Sequence, residues 1–265
     1  MARKTSFYYS FLVLPAEQRR AVIAVWDFCR EVDDAVDEAS SGGREAVRFW
    51  RGELARCYDS GIPETGQGRR LKPFVDRFEL PRQAFDDVIN GIAMDLDTSR
   101  YETFADLFEY CRCVASAVGL ICIKIFGCQS ERSAEYALNL GVAMQLTNIL
   151  RDIKDDLARG RLYLPLDDLA ATNCAIADLT APRMGEAARR LVAFECRRAR
   201  DFYGHAVAAR PEEDRRRLVA AEIMRAVYFE TLRRIERAGY DVSRTRVRVP
   251  RPTQAIIALK QWILS

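Results

Sequence analysis

The sequence predicts an all-α fold, a single-domain helical bundle over residues 1–265, and three observations carry that expectation. Apolar residues recur mostly at the three- and four-residue spacing of a helix. No stretch joins sustained alternation to the Asn-Gly or Asp-Gly turn of a hairpin. Pro15, Pro81, Pro182, Pro211 and Pro252 each stand at or just before an apolar-periodic stretch, where a missing N–H costs a helix little.

The helix predicted over 15–40 starts behind Pro15 and sets Phe28, Cys29, Val32 and Val36 opposite an arc of charged residues. A second, 44–60, rests on apolar periodicity, and "GIPETGQGRR" after it reads as a short connection. Pro81 opens 81–96. The helix over 102–127 carries "VASAVG", whose small residues either pack helices closely around Ala115, Ala117 and Gly119 or leave room beside them. The helix over 131–158 has no Asp, Glu, Lys or Arg from Tyr136 to Leu150, reads as buried, and then breaks into Arg151, Asp152, Lys154, Asp155 and Asp156. Pro182 and Pro211 open 183–209 and 213–238; the first holds His205, the sole histidine, which is expected near the surface without a metal partner. "AGYDVSRTRVRVPRP" leads into 252–264, an apolar helix expected to dock on the domain's own core, although basic residues ahead of it also suit an anionic membrane.

With 265 residues, 49% of them hydrophobic, the chain can bury a substantial core. The net charge of +3, from 41 basic and 38 acidic residues, gives no reason to expect nucleic acid as a partner. Eight cysteines without CxxC spacing read as reduced, buried thiols. "MARKTSFYYSFLVLP" is too polar for a signal peptide and no apolar run is long enough to span a bilayer. The expected address is therefore cytoplasmic, with peripheral contact at the inner membrane face as the second expectation.

Two acidic clusters bear the chemistry. Asp33 and Asp37 lie four residues apart and share one helical face, with Arg30 a turn earlier. Gly141, Gln145, Asn148, Asp152 and Asp156 form a stripe along the other helix. A solvated amphipathic face explains the first cluster as well as a site does, since Asp27, Glu31 and Asp34 widen its arc. It explains the second less well, because solvent faces carry Lys and Glu rather than neutral amides that run into carboxylates. An internal polar cavity fits that stripe. Carboxylates so spaced repel unless a cation lies between them, and Mg²⁺ takes oxygen ligands from one or two carboxylates together with phosphate oxygens. Asn148 can add a neutral oxygen. Arg30, Arg151, Arg161 and Lys4 are candidate phosphate contacts, while Arg30 and Arg151 can equally pair with Asp33, Asp34 or Asp155 within their helices.

The ordered motifs "FYYSFLVLP", "FCREVDDAVDE", "YCRCVASAVG" and "LTNILRDIKDDLARGRLYLP" resemble those of the squalene and phytoene synthases, over a span from Ser6 to about Pro250. Within that family the third and fourth motifs look most like those of bacterial presqualene diphosphate synthases of hopanoid biosynthesis. The resemblance implies an isoprenoid-synthase-type helical bundle with a central cavity. It assigns Asp33 and Asp37 to a first Mg²⁺–diphosphate motif and Asn148, Asp152 and Asp156 to a second. Arg30 and Arg151 match basic positions beside these motifs, Ser6 and Phe7 a segment that closes over a diphosphate, and Tyr110 a tyrosine of the cyclopropane-forming step. Tyr228 matches a site tyrosine, and a downstream arginine falls on Arg246, or on Arg244 if the spacing shifts. Trp26 stands where relatives often carry Tyr, which keeps an aromatic wall and loses a hydroxyl, and Asp155 stands where Glu is common.

The activity implied is a prenyl transfer that condenses two farnesyl diphosphates head to head into presqualene diphosphate and releases diphosphate. Mg²⁺ is the implied cofactor, with no NADPH if the product is presqualene diphosphate; no GxGxxG follows a strand. Enzymes of squalene and hopanoid synthesis are the implied downstream partners. Phytoene, dehydrosqualene and squalene synthases remain alternatives, as does a non-catalytic helical interaction protein with acidic faces.

Overall fold

The computed structural model describes residues 8–38, 42–243 and 246–264, and among these every regular element is a helix. A short α1 (Tyr8–Leu12) precedes α2 (Ala16–Glu38), α3 (Gly43–Tyr58), α4 (Gly66–Arg77) and α5 (Arg82–Asp97). Next, α6 (Phe104–Cys111) passes through a π-helical segment, Arg112–Ser116, into α7 (Ala117–Phe126) and then α8 (Arg132–Ala158). Two short helices, α9 (Leu166–Ala171) and α10 (Ile176–Thr180), lead to α11 (Glu186–Ala209), α12 (Val219–Arg237) and α13 (Arg251–Leu264).

The expected helices stand at α2, α3, α5, α8, α11 and α13 with ends displaced by a few residues. Four departures have physical causes. First, "GIPETGQGRR" is more than a connection, since its second half begins α4. Buried Glu53 accepts the backbone N–H groups of Glu64 (2.9 Å) and Thr65 (2.6 Å), and the Thr65 hydroxyl caps α4 by accepting from the Gly68 N–H at 2.9 Å. Leu71 and Val75 then bury its apolar side, so tertiary packing overrides the poor helix propensity of Gly66 and Gly68.

Second, 102–127 is not one uniform α-helix. It widens at Arg112–Ser116, where two neighbouring helices press against it: a Cβ at Gly141 would lie 2.5 Å from Ser116 Cα, and one at Gly91 would lie 2.6 Å from a Val114 methyl. Only glycine permits this approach of α5 and α8. Third, residues 213–218 form turns rather than the start of α12. Asp214 folds back instead to accept from the backbone N–H groups of Gln129 (2.9 Å) and Ser130 (2.8 Å) and from the Ser133 hydroxyl (2.8 Å), which satisfies donors at the head of α8. Fourth, α1, α9 and α10 were too short to register as periodic patterns, although Pro165 stands just before α9.

The long helix α8 runs through the middle of the bundle, against α7, the π segment, α11 and α12. Its Thr147 hydroxyl lies 3.0 Å from that of Tyr203 on α11. All eight cysteines are free, and burial pushes the thiols of Cys29, Cys122 and Cys196 up to about 12, which keeps them protonated and inert. No helix among the described residues is long and apolar enough to cross a membrane. His205 is exposed, with its ring edge-on to Phe202.

Candidate active site

A cavity of about 570 Å³ lies among α1, α2, α5, α6, the π segment, α7, α8 and α12. Helical periodicity supplies its walls: Val22, Val25, Trp26, Cys29, Arg30, Asp33 and Asp34 follow one another along α2, and Tyr136, Ala137, Leu140, Gly141, Met144, Gln145 and Asn148 along α8. Both series change from apolar to polar toward the helix C-termini. Arg161, just past α8, donates to Asp37 near the end of α2 at 2.7 Å, so these two termini meet. The cavity thus has an apolar body and an acidic mouth, and two helix C-termini add partial negative charge to carboxylates already gathered there.

The residues of "VASAVG" divide their work. Ala115, Val118 and Gly119 line the cavity, while Ser116 and Ala117 are buried in helix packing, so both readings of that motif hold for different residues. Gly141, Gln145 and Asn148 of the acidic-helix stripe face the cavity as expected. Asp152 and Asp156 continue the stripe one and two turns further and do not line the cavity; Asp156 lines a small separate recess with Arg161 and Tyr163.

The charges at the mouth are unevenly compensated. Asp33 is reached by water, yet the protein mass around it and the carboxylates of Asp37, Asp95 and Asp34 push its carboxyl up to about 6, against the pull of Arg161. Asp156 is half-buried; desolvation and the charge of Asp152 raise it to about 7, opposed by Arg159 and Arg161. Asp152 behaves oppositely. Burial alone would raise it, but Arg151 (2.9 Å) and Arg246 (2.8 Å to each carboxylate oxygen) outweigh burial and hold it below the usual carboxylate range. Arg30 pairs with Asp34 at 3.2 Å and lies over the Trp26 ring, 5.3 Å from its centroid. Tyr228 lines the cavity, is buried, and shares hydrogen bonding with Arg151 and Asn148.

Among the described residues no three His, Cys, Asp or Glu side chains are grouped closely enough to hold an ion by themselves. The donor set nevertheless fits a hard cation. The Asn148 side-chain oxygen is buried without a hydrogen-bond partner among the described residues, a condition that native structures rarely tolerate. Asn148 lines the same cavity as Asp33, and every other candidate ligand is a carboxylate. Lys4, Ser6, Phe7 and Arg244 lie outside the described residues. Lys154 turns away from the mouth to the Ser243 carbonyl oxygen, at 3.3 Å.

Sequence reasoning missed a tyrosine–carboxylate cluster. Tyr110, which lines the cavity, donates to Asp95 at 3.1 Å, and Tyr163 donates to the other oxygen of Asp95 at 2.9 Å, with the two phenols 3.3 Å apart. Tyr101 stacks on Tyr163. Burial holds the Tyr110 phenol well above its usual range, so it stays protonated, and burial likewise raises the Asp95 carboxyl. A signal was available, because Asp95 continues the cavity-facing series Val88, Ile92 on α5 at helical spacing. Phe11, also on the cavity wall, escaped notice because α1 is too short to show a period.

Comparison with known proteins places this architecture. Residues 1–253 match the family model described as squalene/phytoene synthase. The chain is 36% identical over 261 residues to a 15-cis-phytoene synthase of Synechococcus elongatus, an alignment covering 92% of this chain and 84% of that one. It is 36% identical over 254 residues to a presqualene diphosphate synthase of Zymomonas mobilis, covering 93% and 85%. The crystal structure of a dehydrosqualene synthase in complex with ligand superposes with a TM-score of 0.87 at 27% identity, covering 98% of this chain and 92% of that one. An all-helical cavity with acidic helix ends at its mouth, and a match that spans nearly every residue, make the chain a member of the squalene/phytoene synthase family of head-to-head prenyl-condensing enzymes.

Proposed function

We propose that this enzyme condenses two farnesyl diphosphate molecules head to head, releases diphosphate and delivers presqualene diphosphate. The observation that carries the reading is the polarity of the cavity: an apolar body for prenyl chains opens on two convergent acidic helix ends, and Asn148 on its wall keeps a side-chain oxygen without a partner among the described residues. Asp33, Asp37, Asn148, Asp152 and Asp156 would hold Mg²⁺, which supplies the positive charge that a departing diphosphate needs.

The remaining work falls to the chain's own residues. Arg30 on the cavity wall, and Arg151, Arg161 and Arg246, which pair with Asp152 and Asp37, would supply planar donors to phosphate oxygens once a cation takes over those carboxylates. Trp26, Phe11 and Tyr110 offer aromatic faces to an allylic cation. The apolar walls keep water from quenching it. Closing a cyclopropane requires loss of a proton, and Asp95, which accepts from both Tyr110 and Tyr163, can take one relayed through the Tyr110 hydroxyl. Cyclopropane closure moves no hydride, so NADPH has no part in this product.

A second reading is phytoene synthesis from longer prenyl diphosphates, favoured by relatives named as phytoene synthases at the same 36% identity as the presqualene enzyme. Incubation with farnesyl diphosphate and Mg²⁺, then phosphatase treatment and mass spectrometry, separates the two: presqualene alcohol supports the first reading, and turnover of the C20 substrate alone supports the second. Asp33→Ala and Asp152→Ala should each cut turnover by roughly a hundredfold or more while helical circular dichroism persists. Wild-type turnover in both would remove the diphosphate site from the mouth.

A further inference from the structure

Helix α13 is apolar on the side that faces solvent. Gln254 and Ala258 bury its inner side, and the Gln254 side-chain amide donates to the Val249 carbonyl oxygen at 2.8 Å. On the other side Ile256, Leu259 and Ile263 share one face at helical spacing and are 68%, 57% and 68% exposed. Trp262 and Leu264, at 60% and 54%, flank them. Five of the nine exposed large apolar side chains among the described residues therefore lie on this one 14-residue helix. A patch of that density marks a contact surface rather than ordinary scatter.

We propose that this face docks on an anionic phospholipid bilayer, with α13 lying in the plane of the interface. Charge selects the occupant. From Val242 to Leu264 the sequence holds Arg244, Arg246, Arg248, Arg251 and Lys260 and no acidic residue. Arg248, Arg251 and Lys260 are all exposed, and Lys260 stands next to Leu259 on the outer side. An apolar stripe with a cationic border and an aromatic flank is the pattern of an interfacial helix. A second copy of the chain suits it less well, because pairing two such faces would bring together two cationic borders with no acidic residue from Val242 to Leu264 to offset them.

The position is also apt. Helix α13 packs on α1 and α12, the elements that contribute Phe11, Ala221 and Met224 to the apolar part of the cavity. An interface there places lipid beside the elements that wall the prenyl-sized cavity, whichever product is formed.

Flotation of the full chain with vesicles tests the proposal, using phosphatidylcholine alone and phosphatidylcholine containing about one-third phosphatidylglycerol. The wild type should float with the anionic vesicles and release from them as salt rises. Leu259→Gln combined with Ile263→Gln should weaken that binding by roughly tenfold or more with an unchanged melting temperature. Lys260→Gln should weaken binding to anionic vesicles only, and it decides the matter if the double variant melts early. Absence of the wild type from anionic vesicles overturns the proposal, as does equal binding by the variants. So does a dimer in sedimentation that the double variant abolishes while vesicle binding is absent.

Discussion

Asp156 and Asp152 occupy one helix four residues apart and yet shift in opposite directions. Two arginines hold Asp152 ionised, whereas Asp156 meets mainly buried surroundings and its neighbour's charge, and rises to about 7. The consequence for stability has a definite sign. A carboxyl whose folded-state value is raised binds its proton more tightly in the folded chain, so metal-free stability is fullest below the usual carboxylate range and is lost as pH rises through about 7. Asp156→Asn should flatten that decline, raising the metal-free melting temperature at pH 8 by roughly 2–4 °C, the response to about 1 kcal/mol in a domain of this size. A melting profile from pH 5 to pH 8 checks it, and parallel curves for wild type and variant would remove the assignment. Mg²⁺ with diphosphate should raise the wild-type melting temperature at pH 8, since a ligand that binds only the folded state stabilises it. Asn148→Ala should reduce that rise by removing a buried neutral oxygen that has no hydrogen-bond partner among the described residues. At this scale the sequence was legible where residues share a helix, as with Gln145 and Asn148. It was silent where the partner is distant, since nothing in the spacing joins Arg246 to Asp152 or Tyr163 to Asp95.

At the scale of elements, helices long enough to repeat their apolar face were legible, and those fixed by a single tertiary contact were not. Helix α8 announced itself by fifteen uncharged residues from Tyr136 to Leu150. Helix α4 needs Glu53, which is eleven and twelve residues before the backbone groups it accepts from. Residues 213–218 looked helical because Pro211 precedes them, but Asp214 is drawn to the head of α8. Asp214→Ala should destabilise the fold by about 1–3 kcal/mol, because it leaves buried donors unpaired; denaturant unfolding with unchanged m-value reads this. Gly141→Ala tests the contact of α8 with the π segment. A methyl would sit 2.5 Å from the Ser116 backbone, so stability should fall by about 1–3 kcal/mol, and turnover should fall with it because the cavity wall moves. A neutral result would mean that this approach is looser than described.

For the whole molecule, the fold class and the family followed from the order of four motifs along one chain. The cavity did not follow from any of them. Its walls come from α1, α2, α5, α6, the π segment, α7, α8 and α12, and only the packed bundle shows that the acidic ends of α2 and α8 open the same space, linked by Arg161 and Asp37. That convergence is what makes two separate charge runs a candidate site for a diphosphate. Similarity alone does not separate the products, since relatives named for different products match at the same 36% identity. The most direct measurement is therefore a product assay of the purified enzyme with farnesyl diphosphate and Mg²⁺, run with and without NADPH. Presqualene diphosphate at equal rates in both, with one diphosphate released per product, is the expected result. Failure to release diphosphate from any prenyl substrate would contradict the proposed site, and squalene formed only with NADPH would contradict the proposed product.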